Sequence, residues 1–164
     1  MSIGTSGSPS TGYEIAALFA SIGDFLDSAD PTPVVIVGVG DLGRAVINFL
    51  ANRRPKLKLV AAFDRDPGKA GRVLCGVRCY PADRLAEVVA AEGVEIGIMA
   101  VPAGDAPRVA QELVDAGIRG ILNFAPAFLR LPEHIVVERI DMTVALEKVA
   151  FLARTANPSR RRPK

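Results

Sequence analysis

Apolar and polar residues follow two alternating patterns along most of the chain. Short, nearly continuous apolar runs predict strands that are covered on both faces. Between these runs, apolar residues recur every three or four positions, which predicts helices that pack on the strands. This alternation predicts an α/β fold with a doubly wound, mostly parallel sheet. The predicted strands span residues 33–37, 57–64, 77–80, 95–101, 120–124 and 135–140, and the predicted helices begin near Asp41, Pro81, Asp105 and Met142.

A glycine-rich turn joins the first predicted strand to the first predicted helix. Gly38, Gly40 and Gly43 form the pattern G-x-G-x-x-G directly after the apolar run 34–37. In this pattern the first glycine allows a tight turn, the second lets the backbone approach a pyrophosphate, and the third lets the helix pack closely on the strand. The helix start at 41–44 also presents N–H groups that attract an anion. The turn is therefore predicted to hold the pyrophosphate of a dinucleotide.

An acidic residue completes this pattern at the end of the second predicted strand. Asp64 comes 21 residues after Gly43, where a carboxylate can accept hydrogen bonds from an adenosine ribose. The carboxylate favours NAD over NADP, although the neighbouring Arg65 leaves that choice open. Together these features indicate a Rossmann-like dinucleotide site, and the alternative is a tight strand–helix turn that binds no ligand.

Two further turns follow predicted strands. They are Val101–Pro102–Ala103 and Asn123–Phe124–Ala125–Pro126. In a doubly wound sheet, ligands bind outside the carboxyl ends of the strands. The turns are therefore predicted to form one crevice with the glycines, whereas a rigid turn would explain each proline on its own.

Composition and charge exclude several classes of protein. The 164 residues predict one domain, and the net charge of +2 depends on four basic residues in the tail after position 156. The rest of the chain is slightly acidic and offers no basic face for DNA. No apolar run approaches the ~20 residues of a membrane span, and no signal peptide is visible. We therefore expect a cytoplasmic protein without a membrane partner.

The ends of the chain differ from its middle. Residues 1–11 are mostly Ser, Gly, Thr and Pro and are predicted to be disordered. Residues 12–32 are predicted to form an amphipathic connector helix and a linker, 33–156 the dinucleotide-binding domain, and 157–164 a basic tail. The last helix, 142–155, is apolar around most of its circumference, which predicts burial against a second subunit. The alternative is that this helix folds back on its own sheet.

The two cysteines are predicted to be reduced, buried or half-buried thiols. In an extended segment, Cys75 and Cys79 would lie about 13 Å apart, too far for a disulfide. A redox pair or a metal site is the less favoured interpretation.

Several segments resemble the NAD(H)-binding domain of the Rex family of redox-sensing transcriptional repressors. The most specific is AGIRGILNFAP at residues 116–126, and the others are 38–45, 62–67, 101–103 and 140–146. The resemblance implies NAD(H) as the cofactor, with the glycines on the pyrophosphate, Asp64 on the ribose, and the two later turns and Asp141 near the nicotinamide. The implied cofactor-binding residues are Gly38, Val39, Gly40, Asp41, Leu42, Gly43, Arg44, Asp64, Arg65, Val101, Pro102, Ala103, Asn123, Phe124, Ala125, Pro126 and Asp141.

The resemblance also implies partners and shows two departures. Family members are homodimers that exchange the C-terminal helix, and an N-terminal winged helix binds operator DNA when NADH is scarce. No winged helix is visible before the first strand, so we expect no specific DNA binding by this chain. Phe49 occupies the position of a family tyrosine whose hydroxyl pairs with the aspartate that corresponds to Asp141. Because Phe49 has no hydroxyl to pair with Asp141, the resemblance supports cofactor binding by this chain better than it supports redox switching.

Four functions follow from these observations. The leading hypothesis is a nicotinamide-dinucleotide-binding sensor or adaptor module without catalytic or metal-ligating residues. A dehydrogenase is disfavoured because no substrate domain or Tyr-x-x-x-Lys pair is present and His134 fits a surface loop. A CoA-binding or other nucleotide-binding protein and a partner subunit for a full-length Rex-like repressor are the remaining alternatives.

Overall fold

The computed structural model describes residues 31–51 and 56–155. The predicted disordered start, connector helix and basic tail lie outside these residues. The described part contains seven strands and four α-helices, with 3-10 turns at Pro67–Lys69 and Ala82–Arg84. The strands are β1 (Thr32–Val37), β2 (Leu57–Asp64), β3 (Val73–Leu74), β4 (Val77–Pro81), β5 (Ile96–Met99), β6 (Gly120–Asn123) and β7 (Val136–Arg139). The helices are α1 (Asp41–Ala51), α2 (Leu85–Glu92), α3 (Ala106–Asp115) and α4 (Met142–Thr155).

The strands form one sheet in the order β3-β4-β2-β1-β5-β6-β7. All neighbouring pairs are parallel except β3 and β4. The chain winds outward from β1 in both directions, so the carboxyl ends of β1, β2 and β5 meet at one edge. The predicted Rossmann-like, doubly wound fold is confirmed.

Helices cover the two faces of the sheet unequally. On one face, α2 and α3 pack on the central strands through buried residues such as Val89 and Leu113. On the other face, α1 packs through Ile47 on β1 and β2. A loop, and no helix, joins β6 to β7, so among the described residues part of this second face stays open as a groove of about 540 Å³. This apolar groove is lined by Val34, Ala45, Val46, Phe49, Leu50, Leu57, Leu59, Ile96, Ile98, Leu122 and Phe124.

The predicted third strand, β4, forms a short hairpin with β3, which the sequence did not predict. β3 pairs with β4 in the antiparallel direction, and Cys75 and Gly76 form the turn between them with φ of 49° and 84°. Two consecutive positive φ values are typical of the turns that join tight hairpins. The cysteines are free, as expected, but Cys75 is exposed and only Cys79 is buried. The expectation that both thiols are at least half-buried was wrong because a turn places Cys75 at the surface.

The final helix is exposed along its whole length in the part of the chain that the structure describes. Asp141 caps it, since its Oδ1 accepts hydrogen bonds from the N–H groups of Thr143 and Val144 at 3.1 Å. Every residue of α4 is exposed. The alternative in which this helix folds back on its own sheet was therefore wrong, while its exchange with a second subunit stays a prediction.

Candidate functional site

A cleft of about 220 Å³ opens where β1, β2 and β5 end. Val37, the last residue of β1, pairs with Phe63 of β2 and with Met99 of β5, so the turns after these strands face each other. The cleft is lined by Val37, Gly38, Gly40, Asp64, Arg65, Lys69, Ala82, Ala100, Val101, Pro102, Asp105, Arg108, Val109 and Glu112. The glycine turn, the end of β2 and the turn after β5 thus meet in one place.

Two of the three fingerprint glycines are required by the fold itself. Gly38 has a φ of +97°, and a Cβ atom there would lie 2.2 Å from the carbonyl oxygen of Ala100. A Cβ atom on Gly43 would lie 1.9 Å from the carbonyl oxygen of Gly38. Real side chains cannot approach a backbone oxygen so closely, so both positions need glycine whether or not a ligand binds.

Gly40 differs from these two glycines. Apart from Gly40 and its two chain neighbours, no described residue has an atom within 4 Å of the position that its Cβ would occupy, and Gly40 borders the cleft. Packing therefore does not require glycine here, whereas close approach of a ligand to the backbone would favour it. Helix α1 starts at the next residue, so its N–H groups and positive dipole end lie beside this space. Asp41 and Arg44 form an exposed ion pair of 2.9 Å at this helix start.

Asp64 joins the end of β2 to the glycine turn. Its Oδ2 accepts hydrogen bonds from the N–H of Val39 at 2.8 Å and from Nζ of Lys69 at 2.9 Å. Its Oδ1 accepts one from the N–H of Asp66 at 2.9 Å. Burial would raise the pKa of the Asp64 carboxyl, but these hydrogen bonds outweigh burial and hold the pKa below its ordinary value. Asp64 is therefore a charged carboxylate at neutral pH that stabilises the turn and also faces the cleft.

The outer wall of the cleft is charged, and apart from Arg65 its residues were not predicted from the sequence to bind a ligand. Arg65 reaches across the cleft to the carboxylate of Asp105 at 2.9 Å. Arg108 and Glu112 also line the cleft and pair with each other on α3. The one sequence signal for this wall is the spacing of Asp105, Arg108 and Glu112, which lie three and four residues apart at the start of α3 and along it. That spacing predicts a shared helix face but not what the face meets.

The predicted turn after β6 serves mainly to shape its own loop. Asn123 is buried, and its side chain accepts a hydrogen bond from the N–H of Ala125 at 2.8 Å and donates one to the carbonyl oxygen of Ala127 at 3.3 Å. Phe124 lines the apolar groove on the other face of the sheet. In this single chain, neither Phe124 nor the exposed Pro126 borders the cleft. Val101 and Pro102 of the other predicted turn do border it.

Asp141 also lies away from the cleft in the single chain. A hydrogen bond from Arg139, at 2.6 Å, and those from the N–H groups of the α4 cap hold the pKa of the Asp141 carboxyl below its ordinary value. Arg139 in turn places its guanidinium 4.6 Å from the ring centre of Phe128, which is 88% exposed. The place of Asp141 near the nicotinamide remains a prediction.

The described residues contain no group of three or more His, Cys, Asp or Glu side chains that could hold a metal ion. Within the same part of the chain, none of the helices has the length and apolar character needed to cross a membrane.

Comparison with known proteins gives consistent relatives. Residues 29–127 match the protein family described as CoA binding domain. The redox-sensing transcriptional repressor Rex of Streptomyces coelicolor is 38% identical over 149 residues, which are 91% of this chain and 58% of that protein. Rex of Latilactobacillus sakei is 40% identical over 145 residues, or 88% of this chain and 70% of that protein. The chain thus spans between 58% and 70% of the length of these two relatives.

A solved structure extends this likeness to the fold. RSP, a Rex-family repressor, superposes with a TM-score of 0.74 at 26% identity, over 90% of this chain and 71% of RSP. RSP has been crystallised with β-NADH and with β-NAD⁺ and operator DNA. The resemblance seen in the sequence is therefore confirmed, and the chain belongs to the Rex family of redox-sensing transcriptional repressors.

Proposed function

We propose that this chain binds NAD(H) in the cleft and acts as a redox-sensing module. The observation that carries the proposal is Gly40, a glycine that borders the cleft at the start of α1 although no packing contact excludes a side chain there. A pyrophosphate seated there would contact the backbone and the first N–H groups of α1. The dinucleotide-bound structures of RSP support the same cofactor.

The charge of the cleft favours NAD(H) over NADP(H). Asp64 is ionised and faces the cleft, where a ribose hydroxyl can donate to it. A 2′-phosphate would bring two further negative charges toward this carboxylate, although Arg65 and Lys69 nearby reduce the repulsion. We expect NADH to bind more tightly than NADPH. Calorimetric titration of the purified protein with each nucleotide tests this, and equal or tighter binding of NADPH would contradict the assignment.

The protein as purified offers a second test. A sensor of cellular NAD(H) in the cytoplasm should retain some cofactor through purification if it binds tightly. Denaturation followed by absorbance and mass spectrometry would identify NADH or NAD⁺ in the released material. A CoA species in that material would instead favour a different nucleotide function.

CoA is the second candidate because the matching family is described as a CoA binding domain. CoA carries a 3′-phosphate on its adenosine ribose, so this phosphate would approach Asp64 much as the 2′-phosphate of NADPH would, beside the cation of Lys69. The same titration with CoA separates the two candidates. CoA binding that NADH cannot displace would overturn the NAD(H) assignment.

We infer a homodimer built through α4. The helix is about 21 Å long at 1.5 Å per residue, and six of its large apolar side chains are at least half exposed in the single chain. They occupy two sides of the helix: Met142, Leu146 and Val149 lie on one side, and Val144 and Phe151 lie nearly opposite. A helix with two exposed apolar sides fits between two surfaces, which an exchange of helices between subunits would provide.

The apolar groove is a fitting site for α4 of a second copy. It lies on the side of the sheet that α1 only partly covers, and Phe49 and Phe124 form part of its lining. Burying several side chains of α4 at about 1.5–3 kcal/mol each would exceed the cost of association. A heterodimer with a longer Rex-like subunit could use the same surfaces. Mixing the chain with such a subunit and measuring the mass of the complex distinguishes the two arrangements.

Binding rather than catalysis is proposed because the named relatives are transcriptional repressors. For this 164-residue chain we expect no salt-tolerant binding to a specific DNA sequence. Its basic tail should give at most weak DNA contacts that fall steeply with salt. A nanomolar footprint on one operator at physiological salt would contradict this expectation.

A further inference from the structure

The 3-10 turn after β2 places Lys69 beside Asp64, the residue proposed to bind the adenosine ribose. Asp66 begins this turn, and its side chain accepts a hydrogen bond from the N–H of Gly68 at 2.9 Å, with Pro67 in the first helical position. Asp66 is itself anchored because its N–H donates to Asp64. The turn therefore directs Lys69 toward Asp64, where Nζ lies 2.9 Å from Oδ2. The Lys69 side chain is 31% exposed and borders the cleft.

The carboxylate of Asp64 has little accepting capacity left for a ligand. Each carboxylate oxygen can accept about two hydrogen bonds. Oδ2 already accepts from the N–H of Val39 and from Lys69, so it is saturated. Oδ1 accepts from the N–H of Asp66 and has room for about one more hydrogen bond. An adenosine ribose presents two adjacent hydroxyls, so Asp64 alone can accept from only one of them.

We propose that Lys69 is the second half of the adenosine-ribose site and determines how strongly the cleft discriminates against a ribose phosphate. In this arrangement one ribose hydroxyl donates to Oδ1 of Asp64, and the oxygen of the other accepts a hydrogen bond from the Lys69 ammonium, which has three donors. The proposal rests on the proposed NAD(H) function and adds a residue to it. Lys69 is both a ligand-binding residue and a positioning residue for Asp64.

This arrangement has a consequence for selectivity. The pair is close to neutral overall, so a 2′-phosphate meets a carboxylate whose charge is partly compensated. Removing the ammonium would take a donor from the ribose and leave the carboxylate charge without its neighbour. NADH binding should weaken, and NADPH binding should weaken more, so the ratio of the two affinities should rise. A lysine that merely supported the turn would change both affinities by the same factor.

The test compares Lys69→Met with Lys58→Met, a control at an exposed position near the opposite end of β2. We expect Lys69→Met to raise the Kd for NADH about tenfold, as the loss of one charge-assisted hydrogen bond would, and to raise the Kd for NADPH further. Lys58→Met should leave both Kd values within about twofold of the wild type. Circular dichroism checks that each variant is folded.

The outcomes separate this inference from the function on which it rests. An unchanged or lower Kd for NADH in Lys69→Met, or an equal loss for both nucleotides, would overturn the role of Lys69 while NAD(H) binding by the wild type stood. A wild-type protein that binds neither nucleotide would overturn the proposed function. If Lys69→Met does not fold, Lys69→Arg replaces it, because arginine keeps the charge but cannot reproduce the ammonium geometry. Lys69→Arg should still weaken NADH at least threefold, and unchanged binding would contradict the proposal.

Discussion

The backbone N–H of Val39 donates a buried hydrogen bond of 2.8 Å to Oδ2 of Asp64, 25 residues further along the chain. This bond joins the glycine turn after β1 to the end of β2. The same carboxylate faces the cleft. Asp64 therefore contributes to folding and to ligand binding at once, and the two contributions can be separated by experiment.

Asp64→Ala should lower both stability and affinity. The buried N–H of Val39 would lose its acceptor, which costs about 1–3 kcal/mol in the free energy of unfolding. NADH should also bind more weakly, by about 1–3 kcal/mol. Urea denaturation and calorimetric titration measure the two effects. Asp83→Ala, at an exposed position, is the control and should change neither.

Acid should remove the stabilisation that Asp64 provides. Its pKa in the folded protein is lower than in the unfolded chain, where the value is about 3.9. The contribution is therefore fully present above pH 4 or so and is lost as the pH falls through the lower, folded value. The difference in free energy of unfolding between wild type and Asp64→Asn should be larger at pH 7 than near pH 3. A difference that does not change with pH would contradict this account.

Two glycine substitutions should separate folding from binding. Gly40→Ala has open space for its Cβ, so the melting temperature should change little while NADH affinity falls at least tenfold. Gly38→Ala would place its Cβ against Ala100 and adopt an unfavourable φ, so the protein should be strongly destabilised. Thermal melts and titrations of both variants provide the measurements. Full NADH affinity in Gly40→Ala would argue against a pyrophosphate at this turn.

The dimer should depend on the apolar sides of α4. Sedimentation at micromolar concentration should show a dimer for the intact chain and a monomer for Leu146→Glu combined with Val149→Glu. Both residues are more than half exposed in the single chain, so a monomer should tolerate the changes. Glu147→Gln on the same helix is the control and should remain dimeric. An intact protein that sediments as a monomer would exclude the proposed interface.

Deletion of residues 142–164 provides an independent test of the helix. If α4 buries the groove of a second copy, the truncated chain should be monomeric or poorly soluble because that groove stays exposed. Weaker NADH binding by the truncated chain, which keeps Asp141 but lacks α4, would indicate that the helix is needed to position groups beside the cofactor. Unchanged binding would limit α4 to assembly.

The two thiols should differ sharply in reactivity. Cys75 is exposed in the hairpin turn, whereas Cys79 is buried and its pKa is raised by burial and by the nearby charge of Asp64. Because the thiolate is the reactive form, a disulfide reagent should modify one thiol quickly and the other only on unfolding. Cys75→Ser should abolish the fast phase. Two fast thiols in the folded protein would contradict this arrangement.

Local sequence determined much of this fold. The apolar run before Gly38 defines a strand, because a strand buried on both faces needs consecutive apolar residues. The periodic segment after it defines a helix, because a helix buried on one face needs apolar residues every three or four positions. Asp66 and Asp141 cap the elements that follow them through backbone N–H groups of their own near neighbours. The sequence also identified Asp64, because a dinucleotide site has an acidic residue about 20 residues after its glycine turn, at the end of the second strand. Such features depend on contacts within about thirty residues.

Other features depend on contacts between distant segments, and only the tertiary structure decided them. The strand order brings Lys69 and Asp105 to the same cleft, although nothing in their local sequence marks them. Phe124 follows Asn123 directly yet faces the opposite side of the sheet, because neighbouring residues at a strand end alternate between faces. Periodicity shows that α4 is apolar, but only its position in the fold shows that the chain's own sheet does not cover it. Which apolar and charged groups meet depends on how the strands pair across the sheet, and that pairing is a property of the whole fold.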